Sequence, residues 1–309
     1  MPSHSHSDAT VKALATAIQG YKLEDVYQFP LDEKSLERLK TILPPETALP
    51  ISAAGTVFDR TLALRKVLAN SRLWSNTRCR VSLAGWVIKD WGGIKSKNKP
   101  DEEDAAAPKN GKLLATLLDK ADEYHRKCEF AVTDVASWSK YLAFRFPATR
   151  AIFDARTAYA LNWLLWQSTK SSRKEYFPSP PGRNTLLNAL DYRLWLAAKV
   201  LGRQKVAKVI EEDIASRERE GGKSSAVSDC MSAFALSGKS FYEEYCSLLS
   251  AVAREVYPQD PTWGLTKIEM TLFGIATTDI ARKVFNTIVP PSASSEVSSA
   301  LAVEDGAAL

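Results

Sequence analysis

Helical periodicity along almost the whole chain is the feature that most constrains the fold. Apolar side chains recur at helical spacing, whereas the alternation typical of strands is scarce. The pattern therefore predicts an all-α protein, and 309 residues are enough to bury a large core. Candidate helices cover residues 8–19, 33–43, 57–70, 78–90, 111–138 (as two helices), 153–168, 184–201, 203–218, 239–256 and 265–288.

Changes in composition divide the chain into segments. Residues 1–20 are predicted to form a partly flexible N-terminal segment, followed by a helical domain at 21–290. This domain comprises a core at 55–168, a basic linker at 169–183 and C-terminal helices at 184–290. Residues 95–112 are charged and poor in large apolar side chains, which predicts an exposed, mobile insertion. The stretch 291–309 has no packing pattern and is predicted to be a disordered tail.

Several functional classes are disfavoured by composition. The cysteines form no Cys-x-x-Cys pair, so neither a disulfide framework nor a zinc or iron–sulfur site is expected. His125 is the one histidine outside the N-terminal tail, and its charged surroundings indicate a solvated surface rather than a hydrolase site. We expect no metal and no cofactor. The net charge of +5 permits nucleic-acid binding without requiring it.

Nothing in the sequence suggests a membrane or secreted protein. No apolar run is long enough to cross a bilayer, and the polar N-terminus lacks the apolar region of a signal peptide. We therefore expect a cytoplasmic protein with no membrane partner.

A lysine and an aspartate stand on either side of a predicted turn. Lys140 precedes an apolar helical stretch, and Asp154 precedes a second helix that begins at Ala155. Pro147 lies between them and cannot continue a helix. Two helix starts joined by one short turn would bring an amine and a carboxylate into the same cleft.

This pair of groups has the chemistry required to break an N-glycosidic bond. A carboxylate stabilises the positive charge that develops on the deoxyribose, and an amine can attack the sugar carbon to form a Schiff base. Burial would lower the lysine pKa and make the amine a better nucleophile. The alternative is that Asp154 caps its helix and Lys140 lies on the surface, although one aspartate can both cap and catalyse.

The order of Ser-Lys, apolar helix, Phe-Pro turn and Ile-Phe-Asp-x-Arg resembles the core of the helix-hairpin-helix DNA glycosylase superfamily. It is most similar to a bacterial branch related to 8-oxoguanine glycosylases, which includes anti-phage DNA glycosylases. The resemblance is close around Lys140 and Asp154 and looser over residues 55–165. It implies a two-lobed helical fold whose central cleft holds double-stranded DNA, with the family's lysine and aspartate roles at Lys140 and Asp154.

The hairpin before the lysine departs from the family pattern. Ala136-Ser137-Trp138-Ser139 stands where the family usually has Gly-hydrophobic-Gly, whose backbone amides approach a phosphate. The hydroxyls of Ser137 and Ser139 are therefore expected to contact DNA phosphate instead. Arg156, shortly after Asp154, is expected to face the cleft and the DNA, whereas the other nearby basic residues could equally form a solvated surface.

A second candidate element is the Trp-Gly-Gly-Ile stretch at 91–94 and the helix before it. The glycines alone are explained by a helix cap. The neighbouring aromatic side chains could stack a flipped base while a charged side chain reads its edge. Trp-Gly-Gly-Ile also looks like a recurring element of the bacterial branch, and packing between lobes is the alternative. The predicted base pocket consists of Trp86, Lys89, Asp90 and Trp91.

Three functional hypotheses follow. The first is a monomeric DNA glycosylase that acts in base excision or anti-phage defence. Schiff base formation at Lys140 would add AP lyase activity to it. By family analogy its substrate is an oxidised purine or a hypermodified phage base such as glucosylated hydroxymethylcytosine. The second is a non-catalytic helical DNA-binding protein. The third is an unrelated all-α interaction protein in which the placement of Lys140 and Asp154 is coincidental.

Overall fold

The computed structural model describes most of the chain between residues 6 and 288. The described residues are 6–29, 31–45, 47, 49, 55–94, 118–119, 122–123, 126, 131–169, 176–180, 182, 184–220 and 240–288. The predicted insertion at 95–112, most of the predicted helices at 111–138, most of the basic linker and the predicted tail at 291–309 lie outside these residues.

Every regular element in the described ranges is helical, as predicted. The helices are α1 (Asp8–Gln19), α2 (Leu23–Val26), α3 (Glu33–Ile42), α4 (Val57–Leu68), α5 (Ser71–Ser75), α6 (Thr77–Gly85), α7 (Val132–Arg145), α8 (Ala155–Thr169), α9 (Thr185–Ala189), α10 (Arg193–Leu201), α11 (Arg203–Glu220), α12 (Phe241–Val256), α13 (Gly264–Ile275) and α14 (Ala281–Ile288). Two π-helical turns continue α6 and α13, namely π1 (Trp86–Trp91) and π2 (Ala276–Ile280). No described helix has the length and apolar character needed to span a bilayer.

Two predicted helices depart from one uniform α-helix in the structure. The stretch 184–201 forms α9 and α10 because the Asp191 side chain accepts a hydrogen bond from the Arg193 N–H at 3.0 Å and starts a new helix. The stretch 265–288 forms α13 and α14, with π2 between them. Apolar periodicity survives both interruptions, so it did not reveal them.

Residues 136–139, expected to form a hairpin turn before Lys140, are helical in the structure, so that expectation was wrong. Residues 136–139 lie inside α7, so Lys140 stands in the interior of a helix rather than at its start. This stretch contains neither glycine nor proline to break the helix. The helix ends at Phe146, whose backbone leaves the helical region (φ −129°, ψ 57°) just before Pro147.

The helices surround one large cluster of buried apolar side chains that extends from α1 to α14. Helix α1 contacts both α8 and α12, and its apolar face is buried. The first helix therefore belongs to this core, although residues 1–20 were expected to form a partly flexible segment. Helix α13 packs against α8, α12 and α2, which places it at the centre of the fold.

Helix α13 approaches the α2 segment closely at Gly274. A Cβ atom added to Gly274 would lie 2.4 Å from the Val26 carbonyl oxygen and 3.2 Å from the Tyr27 nitrogen. These are backbone atoms, which cannot rotate away as a flexible side chain would. Gly274 therefore fixes how closely the chain at Tyr27 lies against α13.

We predict that Gly274→Ala lowers the free energy of unfolding by about 1–3 kcal/mol, the range typical of overpacked sites. Gly20→Ala is the control, because the nearest atom to its added Cβ is the Ala17 carbonyl oxygen at 3.7 Å. Urea unfolding of both variants measures the difference. Equal stability of the two variants would contradict the close packing of α13 on α2.

Candidate active site

The Lys140 amine and the Asp154 carboxylate lie together, as the sequence predicted. Lys140 Nζ is 3.7 Å from Asp154 Oδ2 and donates a hydrogen bond to the Ala136 carbonyl oxygen at 3.1 Å. The other carboxylate oxygen, Oδ1, caps α8 by accepting from the N–H groups of Arg156 (3.0 Å) and Thr157 (3.1 Å). Asp154 thus uses one oxygen to start the helix and turns the other toward the amine.

The Lys140 side chain is almost fully buried, with 6% of the residue exposed. Burial lowers its pKa from the usual value of 10.5, and the nearby carboxylates of Asp154 and Glu269 partly oppose this shift. A lysine of lowered pKa has a larger neutral fraction near neutral pH. A shift in this direction favours nucleophilic chemistry at this amine.

The extended segment that leads to Asp154 is held by side chains of the surrounding helices. The hydroxyls of Tyr242 and Tyr245 donate to the carbonyl oxygens of Ala151 (3.0 Å) and Ile152 (2.7 Å). Ser139 Oγ accepts from the Phe153 N–H at 3.0 Å and donates to the Phe153 carbonyl at 3.2 Å. Glu269 Oε2 accepts from the Ile152 N–H at 2.9 Å. The position of Asp154 is therefore fixed from several directions.

A cavity of about 450 Å³ opens beside the pair, and both Lys140 and Asp154 line it. This volume falls in the range of small-molecule pockets. Four aromatic side chains contribute to its wall, namely Tyr27, Phe29, Trp91 and Phe273. Phe29 makes edge contacts with Trp91 and with Phe273, each at a centroid separation of 5.3 Å. The cavity thus combines an aromatic wall with an amine and a carboxylate.

Glu269 is a buried acid in the cavity wall that the sequence analysis missed. It forms a buried ion pair with Arg65, in which Nη1 and Nη2 of the guanidinium lie 3.1 Å from the carboxylate oxygens. Burial raises the pKa of Glu269, whereas Arg65 and the Ile152 N–H lower it. A single acid within an apolar helical pattern was the available signal, since a buried carboxylate requires a partner.

The same guanidinium supports the aromatic wall. Arg65 Cζ lies 4.8 Å from the centroid of Phe144 and 5.8 Å from that of Trp91. Trp91 also makes an edge contact with Phe144 at 4.9 Å. The Arg65–Glu269 pair therefore holds both the polar and the aromatic parts of the cavity wall.

Because Gly92 has no side chain, the Lys140 side chain can pack directly against the backbone at this position. A Cβ atom added to Gly92 would lie 2.7 Å from Lys140 Cδ and 2.7 Å from the Ile88 carbonyl oxygen. The next residue, Gly93, has a φ of +65°, a left-handed conformation that favours glycine. The Gly-Gly pair thus serves close packing against Lys140 as well as termination of π1.

Only one of the four residues predicted for the base pocket lines the cavity. Trp91 does so, whereas Trp86 is buried in the core and its Nε1 donates to the Ser35 carbonyl oxygen at 2.6 Å. Asp90 pairs with Arg38 at 3.0 Å, and neither Asp90 nor Lys89 reaches the cavity lining. Trp86 therefore has the packing role that the sequence offered as the alternative to base stacking.

Of the three residues predicted to contact DNA, one lines the cavity and two are buried. Arg156 lines the cavity, and its guanidinium carbon lies 4.5 Å from the centroid of Phe273. Ser137 and Ser139 are instead 3% and 0% exposed. The Ser139 hydroxyl is bound to the Phe153 backbone, so it positions the segment before Asp154 rather than facing a phosphate. In the described part of the chain, no cluster of His, Cys, Asp and Glu suits a metal ion.

We predict that Arg65→Met lowers the free energy of unfolding by about 3–5 kcal/mol, because it leaves the Glu269 charge buried without its partner. The double variant Arg65→Met/Glu269→Gln removes the charge and keeps an acceptor for the Ile152 N–H. It should therefore regain more than half of the lost stability. Urea unfolding measures both variants, and a double variant no more stable than the single one would refute this account.

The lowered pKa of Lys140 predicts a pH-dependent stability. Between its folded-state pKa and 10.5, the unfolded chain binds more protons at this lysine than the folded protein does. The free energy of unfolding of the wild type, relative to Lys140→Met, should therefore rise as pH approaches 10.5. Lys205→Met, at an exposed position, is the control and should follow the wild type. If the free energies of unfolding of the wild type and Lys140→Met change with pH in parallel, burial does not shift the pKa of Lys140.

Comparisons of the chain with protein-family models, with curated proteins and with solved structures give no match in any of the three.

Proposed function

We propose that the protein is a DNA glycosylase that excises a modified base from double-stranded DNA. The observation that carries the proposal is the buried Lys140–Asp154 pair, 3.7 Å apart, in the wall of an aromatic-lined cavity. An amine and a carboxylate are the groups that glycosidic bond cleavage uses, and aromatic walls are suited to a flat base. The sequence resemblance to helix-hairpin-helix glycosylases supports the same assignment.

The flipped base would enter the cavity between its aromatic walls. Trp91, Phe29 and Phe273 line the cavity, and the edge contacts of Phe29 with the other two rings hold them in place. Unstacking a base costs a few kcal/mol, which contacts inside such a pocket offset. A modified base that stacks or hydrogen-bonds better than a normal one would be selected in this way.

The sugar would lie beside Asp154 and Lys140. As the bond between C1′ and the base breaks, its electron pair leaves with the base and positive charge develops on the sugar. Asp154 Oδ2 would stabilise that charge, because Oδ1 is fixed by the cap of α8. The Lys140 amine, once deprotonated, would attack C1′ and lose a proton. The C1′–O4′ bond would then break with its electron pair and a proton passing to O4′, which opens the sugar ring and leaves a Schiff base between Lys140 and C1′.

The DNA would lie across the mouth of the cavity, in the cleft between two lobes that the resemblance implies. Arg156 lines the cavity and would contact the phosphate of the flipped nucleotide. We propose a monomeric cytoplasmic enzyme that acts in base excision or in defence against phage. The substrate base is an oxidised purine or a hypermodified phage base such as glucosylated hydroxymethylcytosine.

Release of free base tests the proposal most simply. Purified protein is incubated with undamaged DNA, with DNA that contains 8-oxoguanine and with phage DNA that carries modified cytosines. We predict release of one base, detected by mass spectrometry, and a decrease in its rate of about 100-fold or more for Asp154→Asn. Tight DNA binding without release of any base would favour the non-catalytic DNA-binding protein, and absence of binding would favour the unrelated interaction protein.

A second experiment tests the role of Lys140. Borohydride reduces a Schiff base to a stable amine, so it should trap a covalent complex of the wild-type protein with its substrate DNA. Lys140→Gln should lose this complex, whereas the control Lys89→Gln should retain it because Lys89 does not line the cavity. Base release by the wild type without any trapped complex would assign Lys140 to positioning rather than to attack.

A further inference from the structure

A second cavity, of about 300 Å³, lies next to the proposed catalytic pocket. The two cavities share Ala155 and Gly182 as wall residues. A Cβ atom added to Gly182 would lie only 2.5 Å from the Ala155 Cβ, so the chain at Gly182 packs directly on the start of α8. Gly182 therefore forms a ridge between the two cavities in which a larger side chain would not fit.

The inner wall of the second cavity is aromatic and fixed. The rings of Tyr159 and Tyr192 meet edge to face with centroids 4.7 Å apart. Their hydroxyls donate to backbone carbonyls, that of Tyr159 to Leu190 at 2.9 Å and that of Tyr192 to Tyr159 at 2.6 Å. Leu187 completes this wall. A wall of immobilised rings and an aliphatic side chain is suited to a flat ring system.

The cavity also has a charged residue that is open to solvent. Arg193 lines it with 49% of its side chain exposed, and its Nε donates to Asp191 Oδ1 at 2.9 Å. The carboxylate holds the planar guanidinium in one orientation. A guanidinium of this kind matches the geometry of a phosphate, and Arg carries more donors than one carboxylate uses.

We propose that this second cavity binds the nucleotide next to the flipped one. Its base would lie against Tyr159, Tyr192 and Leu187, and its phosphate would bind Arg193. This inference rests on the proposed function, because a strand whose sugar lies at Asp154 would continue past Ala155, over the ridge that both cavities share. The rate of base release should then depend on which nucleotide is adjacent to the target, because contacts with flanking nucleotides determine an enzyme's sequence preference.

The phosphate contact is tested by the salt dependence of DNA binding. We expect Arg193→Gln to weaken binding of a substrate duplex and to reduce the slope of log affinity against log salt by about one. Arg203→Gln is the matched control, because Arg203 is exposed and lines neither cavity. Equal slopes for Arg193→Gln, Arg203→Gln and the wild type would overturn the assignment of Arg193.

The base contact is tested with duplexes that lack one neighbouring base. Replacing it by an abasic tetrahydrofuran on one side of the target should slow base release roughly 10-fold, the size expected for loss of one base–aromatic stack. The same replacement on the other side should have less effect. Equal rates for the two duplexes and the intact one would contradict the second cavity as a base site.

The outcomes separate this inference from the proposed function. DNA binding without base release would refute the glycosylase, while the salt slope of Arg193→Gln would still decide the phosphate contact. Base release with unchanged slopes and no effect of either neighbour would support the glycosylase and refute the second cavity. Absence of DNA binding would refute both.

Discussion

Residues 151–153, just before Asp154 and α8, depend on side chains for their backbone hydrogen bonds, and the site depends on that arrangement. These three residues are buried and lie outside any helix, so their amide and carbonyl groups need partners from elsewhere in the fold. Tyr242, Tyr245, Ser139 and Glu269, from three different helices, supply the missing partners. Each unmade bond would cost about 1–3 kcal/mol, so these helices can pack in few other ways around it. The backbone that leads to Asp154 is therefore held in one position.

Two ion pairs with little exposure to water lie at or beside the cavity. Lys140 faces Asp154, and Arg65 faces Glu269, which in turn holds the Ile152 N–H. Because Arg65 also contacts the rings of Phe144 and Trp91, one buried ion pair connects the carboxylate wall with the aromatic wall. A substrate entering this cavity would meet charges that are already oriented, which is the condition for electrostatic stabilisation of a transition state.

The sequence predicted the features that depend on local signals. Periodicity identified the all-α class and most helix positions, and the aspartate before an alanine-rich helix indicated the cap that Asp154 makes. The hairpin before Lys140 was wrong because it was taken from a family pattern, although this chain has no glycine there to end the helix. Local reading of residues 136–139 would have favoured a continuous helix.

The rest of the site depends on contacts that no local pattern records. Arg65 and Glu269 are 204 positions apart, and neither position alone indicates an ion pair. Trp86 and Trp91 begin and end one short π-helical turn, yet only Trp91 lines the cavity. Phe29 and Phe273 come from distant segments that meet through the close approach of α2 and α13.

The central claim is that Asp154 stabilises positive charge on a deoxyribose held in this cavity. Its most direct test compares binding of two duplexes, one with a cationic pyrrolidine and one with a neutral tetrahydrofuran at the target position. The account predicts that the pyrrolidine duplex binds about 100-fold tighter or more, as transition-state analogues do, and that Asp154→Asn abolishes this preference. Equal affinity of the wild-type protein for the two duplexes would contradict it.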